Sequence, residues 1–184
     1  MQHEQIWAPW RLAYIKGDDS TAATTRQLEL PTGADPDCFI CRGLADQADR
    51  QNLIVERGSH SVVILNRYPY NNGHLLVAPI QHKGRLEELS VAEHAGCQRA
   101  IVTFVLLIER LLGAEGFNIG LNLGRVAGAG LPGHLHWHVV PRWNGDTNFM
   151  GVLGGVEVIP QSLDSLWQLL HDNLQATPSP TETS

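Results

Sequence analysis

Apolar and polar positions along the chain change period several times, and each change predicts an element. Ser61-Val62-Val63-Ile64-Leu65-Asn66 is a continuous run rich in β-branched residues, the pattern of a buried strand. Pro69-Tyr70-Asn71-Asn72-Gly73 breaks the run with an Asn-Gly pair, a strong hairpin signal. His74-Leu75-Leu76-Val77-Ala78-Pro79 then reads as the returning strand. Ser90, with Glu93 three residues later, has the pattern of a capping box, so a helix is expected to about Leu112, with Gly113 near its end. Phe117 to Leu123 reads as a further strand, and a loop from Gly124 to Gly133 follows it. A short polar helix through Gln47, a small strand around Val156 to Ile159 and a helix from about Ser162 to Leu174 complete the set. Strands joined by hairpins with one long helix between them predict an α+β fold. Its sheet would be antiparallel, with about five strands, one long helix and a C-terminal helix.

The loop delivers the chain into Gly133-His134-Leu135-His136-Trp137-His138-Val139-Val140-Pro141. A strand sends every second side chain to one face. His134, His136 and His138 are therefore expected on one surface, with Leu135, Trp137 and Val139 pointing into a core. Nothing in core packing calls for three imidazoles in a row, so the segment reads as a functional site.

Composition narrows the classes. The 184 residues suit one domain of residues 37–175, an extension and linker over 1–36, and a disordered tail over 176–184. Within the extension, Trp7, Trp10, Tyr14 and Ile15 are too aromatic for a loose tail and are expected to pack on the domain or on a second subunit. No apolar run approaches the roughly 18 residues of a membrane span, and the N-terminus lacks the basic start and apolar stretch of a signal peptide. A net charge of −6 argues against nucleic acid as the partner. Three cysteines, an odd number, fit a reducing cytoplasm better than a disulfide framework. Cys38-x-x-Cys41 has the spacing of zinc ligands, with a pair of reduced thiols or a redox pair as the alternatives.

His-x-His-x-His followed by apolar residues resembles the signature of the histidine triad (HIT) superfamily of nucleotide hydrolases and transferases. The likeness runs from about Cys38 to Arg142 and includes Asn66, the Gly73-His74 hairpin and Asn122 ahead of the glycine-rich loop. Trp7-Ala8-Pro9-Trp10-Arg11 and the stretch Pro141 to Phe149 resemble the branch that contains bacterial diadenosine tetraphosphate phosphorylases. The resemblance implies a HIT-like fold and a substrate such as a dinucleoside polyphosphate or a related nucleotide. His136 would attack the α-phosphorus to give a nucleotidyl-histidine intermediate, a reaction suited to neutral imidazole near pH 7. The carbonyl of His134 would hold the other ring N–H, and His138 would contact phosphate and help the leaving group depart.

Backbone N–H groups of Gly128, Ala129 and Gly130 would stabilise charge on phosphoryl oxygens. Asn66 matches the position that bonds the ribose, and Asn122 the one that approaches the phosphates or leaving group. Leu65 and Leu76 are candidates for the base pocket, with plain core as the alternative. The loop lacks the hydroxyl residue common ahead of the triad, which shifts phosphate binding to backbone donors, the histidines or Arg125. Zinc-bearing relatives complete their site with a histidine after the second strand and the first triad histidine, here His82 and His134 beside Cys38 and Cys41. Relatives also pair through the long helix and a sheet edge, so a homodimer is the expected unit. His74 is read as a structural support of the hairpin. Two other functions stay open: a metal-dependent hydrolase using the triad as ligands, and a nucleotide-binding regulatory protein with little turnover.

Overall fold

The computed structural model describes residues 28–146 and 159–174. The extension up to residue 27, all but the last residue of the strand expected over 156–159, and the tail 176–184 lie outside the described residues. Helix α1 (Phe39–Ala45) is followed by strands β1 (Ile54–Arg57), β2 (Ser61–Leu65) and β3 (Leu75–Pro79). Then come helix α2 (Val91–Leu112), β4 (Gly116–Leu121), β5 (Trp137–Arg142) and helix α3 (Leu163–Leu174). The strands form one antiparallel sheet in the order β1-β2-β3-β5-β4. The α+β expectation holds. The fifth strand, however, is β1, which the hydrophobic pattern did not reveal. Its pairing with β2 is irregular between Ile54 and Glu56, and Leu53 just ahead of it has φ 59°, so no clean alternation marks it.

The long helix begins and ends where its caps stand. Ser90 Oγ accepts the Glu93 N–H at 3.2 Å, and Glu93 Oε2 accepts the Ser90 N–H at 2.7 Å. This reciprocal cap satisfies donors the first turn would otherwise leave unpaired. Gly113 closes the helix in the left-handed region, φ 62°, where any side chain would be strained.

Strand register sorts the core into two faces. Directly paired residues share a face, so Leu65 with Leu75, and Val63 with Val77 and Trp137, lie on one side. Helix α2 covers that side: Ser61 Oγ donates to Gly96 O at 3.4 Å, and Phe104, Leu107 and Ile108 are buried. Ile64, Leu76 and His138 lie on the opposite side, which α1 covers at the end nearest His134. The sheet thus separates a closed, helix-packed face from the face that carries the histidines.

Candidate active site and metal centre

β5 begins only at Trp137, so His134, at a bend, and His136 precede the regular ladder. The three imidazoles part into two sets of contacts. His136 and His138 form an edge-to-face pair with centroids 5.2 Å apart. His134 is fully buried beside Cys38, Cys41 and His82.

His136 is prepared by its backbone. Its Nδ1 lies 2.8 Å from the His134 carbonyl oxygen, which can only accept, so that nitrogen carries the proton. The lone pair is left on Nε2, the form a nucleophile needs.

His138 is prepared by a chain of contacts that begins at a residue the sequence had assigned to structure. The Tyr70 N–H donates to His74 Nδ1 at 3.0 Å. A neutral His74 must then carry its proton on Nε2, which stands 3.0 Å from His138 Nδ1. His138 accepts there and bears its own proton on Nε2. Burial, followed by charge on His138 and His136, pushes His74 down to about 3. Burial, followed by charge on His136, also lowers His138. The Tyr70 ring stacks on His138 at 5.8 Å and 17°. No sequence signal joins His74 to His138, because they meet only through the β3–β5 pairing across more than sixty positions.

The other expected site residues sort unevenly. Asn66 Oδ1 accepts from the Tyr68 N–H at 3.0 Å and its Nδ2 lies 3.2 Å from His74 Nδ1, so it braces the hairpin beside the histidines. Asn122 follows β4 directly, on the histidine side by extension of the β4–β5 register. Leu76 pairs with His138 and lies under the site. Leu65 does not: its register with Leu75 puts it on the face covered by α2, where it belongs to the core. Gly128 and Ala129 are likewise corrected as phosphate donors. Their N–H groups go to Arg125 O at 3.0 Å and Gly124 O at 3.3 Å inside the short helical turn Arg125–Ala127. Gly130 keeps an exposed N–H, with no described backbone acceptor. Arg125 is exposed on that turn.

Four ligand atoms gather at the closed end. Cys38, Cys41, His82 and His134 each offer one atom, all within 4.8 Å of one another. Cys38 is the N-cap of α1 and Cys41 lies one turn on, which brings both sulfurs to one spot. His134 Nε2 donates to Pro79 O at 2.9 Å, leaving Nδ1 as the acceptor, 3.3 Å from Cys38 Sγ. His82 Nδ1 is 3.3 Å from Cys41 Sγ. Burial pushes the Cys38 thiol up to about 12, an environment that holds thiolate poorly without a cation. The donor set fits a metal ion. Among the described residues it is the only such cluster, and it takes in neither His136 nor His138.

A sheet in this order thus carries a backbone-tethered histidine with a relay to its neighbour, beside a cluster of four metal-ligating side chains. The chain belongs to the HIT domain family, whose pattern matches residues 47–145. It is 38% identical over 176 residues to the AP-4-A phosphorylase of Mycobacterium tuberculosis, covering 92% of this chain and 83% of that protein. It is 32% identical to adenosine 5'-monophosphoramidase hnt1 of Schizosaccharomyces pombe, covering 58% of this chain and 75% of that one. Among solved structures it resembles a zinc-bound histidine triad family protein from Mycobacterium smegmatis, with TM-score 0.56 and 28% identity, covering 67% of this chain and 84% of that one.

Proposed function

We propose that this chain is a nucleotidyl-transferring enzyme that opens a dinucleoside polyphosphate at its α-phosphate, with inorganic phosphate as the acceptor. The observation that carries the reading is the His136 Nδ1 contact with the His134 carbonyl at 2.8 Å, which frees Nε2 for attack. In the first step the Nε2 lone pair bonds to the α-phosphorus and the bond to the bridging oxygen breaks. With diadenosine tetraphosphate, ATP departs and AMP stays on His136. His138, with its proton on Nε2, donates to the departing oxygen. His74 acts through His138 as a positioning residue. In the second step a phosphate oxygen attacks the same phosphorus, the N–P bond breaks and ADP is released. Asn66 would bond the ribose, and Asn122 with the Gly130 N–H would face the phosphates. Likeness over 92% of the chain to a protein named AP-4-A phosphorylase supports phosphate rather than water as acceptor.

The four-ligand cluster is proposed to hold zinc. Two thiolates and two imidazoles are its preferred tetrahedral set, and with no open position the ion would supply structure rather than a reactive centre. The zinc-bound relative supports this. A homodimer is supported by β4, which ends the sheet with an exposed Ile119, and by exposed Val102 and Leu106 on α2. A monomeric mass in solution would reject it. Three free thiols favour a reducing cytoplasm.

Product analysis with diadenosine tetraphosphate tests the reaction. ADP with ATP, formed only when phosphate is present, is expected. AMP with ATP irrespective of phosphate would make water the acceptor.

A further inference from the structure

His134 serves two sites with one residue. Its ring faces the thiols, with Nδ1 3.3 Å from Cys38 Sγ and 3.6 Å from Cys41 Sγ. The ring is locked from behind by Nε2 donating to Pro79 O at 2.9 Å. Its carbonyl oxygen, three bonds from the same side chain, accepts the His136 N–H at 2.8 Å. A ring pinned on both sides fixes where the Cα of His134 sits, and the carbonyl that holds the nucleophile departs from that Cα. A displacement of that Cα would carry both the ring and the carbonyl with it.

The segment bearing the other histidine ligand presses on the same stretch of chain. Lys83, next to His82, accepts the Leu135 N–H on its carbonyl at 2.7 Å. A Cβ at Gly84 would stand 2.9 Å from Pro132 O, and one at Gly133 would stand 3.1 Å from His82 Nε2. A side chain at Gly84 would force the backbone apart, and one at Gly133 would press on the His82 ring. Lys83 Nζ in turn pairs with Glu93 at 2.7 Å, the buried carboxylate that caps α2. The chain on both sides of His134 is thus gripped by the loop that bears His82, and that loop is fixed to the long helix.

We infer that Cys38, Cys41 and His82 are positioning residues for the nucleotidyl-transfer reaction. Acting through His134, a metal held by these four residues fixes the direction of the carbonyl that sets the tautomer and aim of His136. The inference rests on the metal and nucleophile readings above and adds that the two sites are energetically linked. Linkage is reciprocal. A nucleotide seated against His136 must therefore change the metal site, whereas a remote structural anchor would ignore it.

Cobalt(II) in place of the native ion makes the link visible, because the absorption of thiolate-bound cobalt reports ligand geometry. The full-length protein, loaded with cobalt, is titrated with AMP. Stoichiometric uptake is expected, with a visible band that shifts as AMP binds and reaches its midpoint where calorimetry places AMP binding. Saturating AMP should change cobalt affinity by about fivefold or more, and His136→Ala should abolish both effects. Chelated protein, assayed below its own melting temperature, should lose about tenfold in kcat with KM held. If the chelated protein does not fold, the cobalt titration still decides. A band and an affinity indifferent to saturating AMP overturn the link alone. Failure to take up cobalt overturns the metal reading and the link with it. Failure to bind AMP overturns the nucleotide reading.

Discussion

The two neighbours of His136 are the same residue type at the same spacing, yet they live in opposite surroundings. His134 is fully buried and its ring is committed to thiols and a backbone carbonyl. His138 is half-buried, and its Nδ1 is occupied by His74, which leaves its proton on Nε2. What packs against each decides the difference: the N-terminus of α1 at one end, the β2–β3 hairpin at the other. One end can anchor without reacting. The other can exchange a proton without moving. The nucleophile between them takes its tautomer from the first and its acid partner from the second.

The sharpest way to break this division is to remove its middle. His136→Ala should lower kcat by roughly 10⁴-fold or more, because no neighbouring group can replace the attacking lone pair. Turnover of diadenosine tetraphosphate measures it, and a loss below tenfold would move the chemistry elsewhere.

The open end is tested next. His74→Phe keeps a ring in the hairpin but removes the donor to His138 Nδ1. The kcat should fall roughly 10- to 100-fold with little change in KM, the range seen when a partner that orients a reactive histidine is lost. A pH profile separates this from mere damage. Without the His74 donor, His138 Nδ1 is free to take a second proton, so the acid limb of kcat should move to higher pH. An unmoved limb would reduce His74 to a structural role.

His74 also predicts a stability profile. Its folded value of about 3 lies below the ordinary 6.5. As pH falls below about 6.5, the unfolded chain takes up the proton first, so stability is fully present above that point and is lost progressively down to about 3. The His74 share of the slope should be about 1.4 kcal/mol per pH unit, beside that of His134, which burial lowers to about 4. Urea unfolding at pH 7, 6 and 5 would show it, and His74→Phe should remove that share. An unchanged slope in the variant would assign the loss to other groups.

Ser90→Ala supplies the baseline away from both ends. It removes the α2 cap and should cost about 1 kcal/mol in urea unfolding while leaving kcat within twofold. A larger kcat change would mean that the α2 cap, through Glu93 and Lys83, reaches the site.

Much of this was legible in the sequence because it rests on local signals. Ser90, Glu93 and Gly113 mark the helix by backbone chemistry alone, and Val91–Leu112 follows them closely. The alternate histidines and the Cys38-x-x-Cys41 spacing located the site and the ligand cluster. What stayed hidden depends on contacts distant in sequence. The His74–His138 contact exists only because β3 pairs β5. For Leu65 the sequence leaves base pocket and plain core both open, because a strand buried on both faces gives no alternation to choose a side; its register turns it to α2 and the core. Gly128 and Ala129 looked like free donors until the helical turn used their N–H groups.

The most direct test is to quench the reaction with diadenosine tetraphosphate at alkaline pH within milliseconds, phosphate omitted, and to map the modified peptide by mass spectrometry. One AMP on His136, absent from His136→Ala, is the predicted result. Full turnover on readdition of phosphate, with no adduct on that imidazole at any time point, would contradict it.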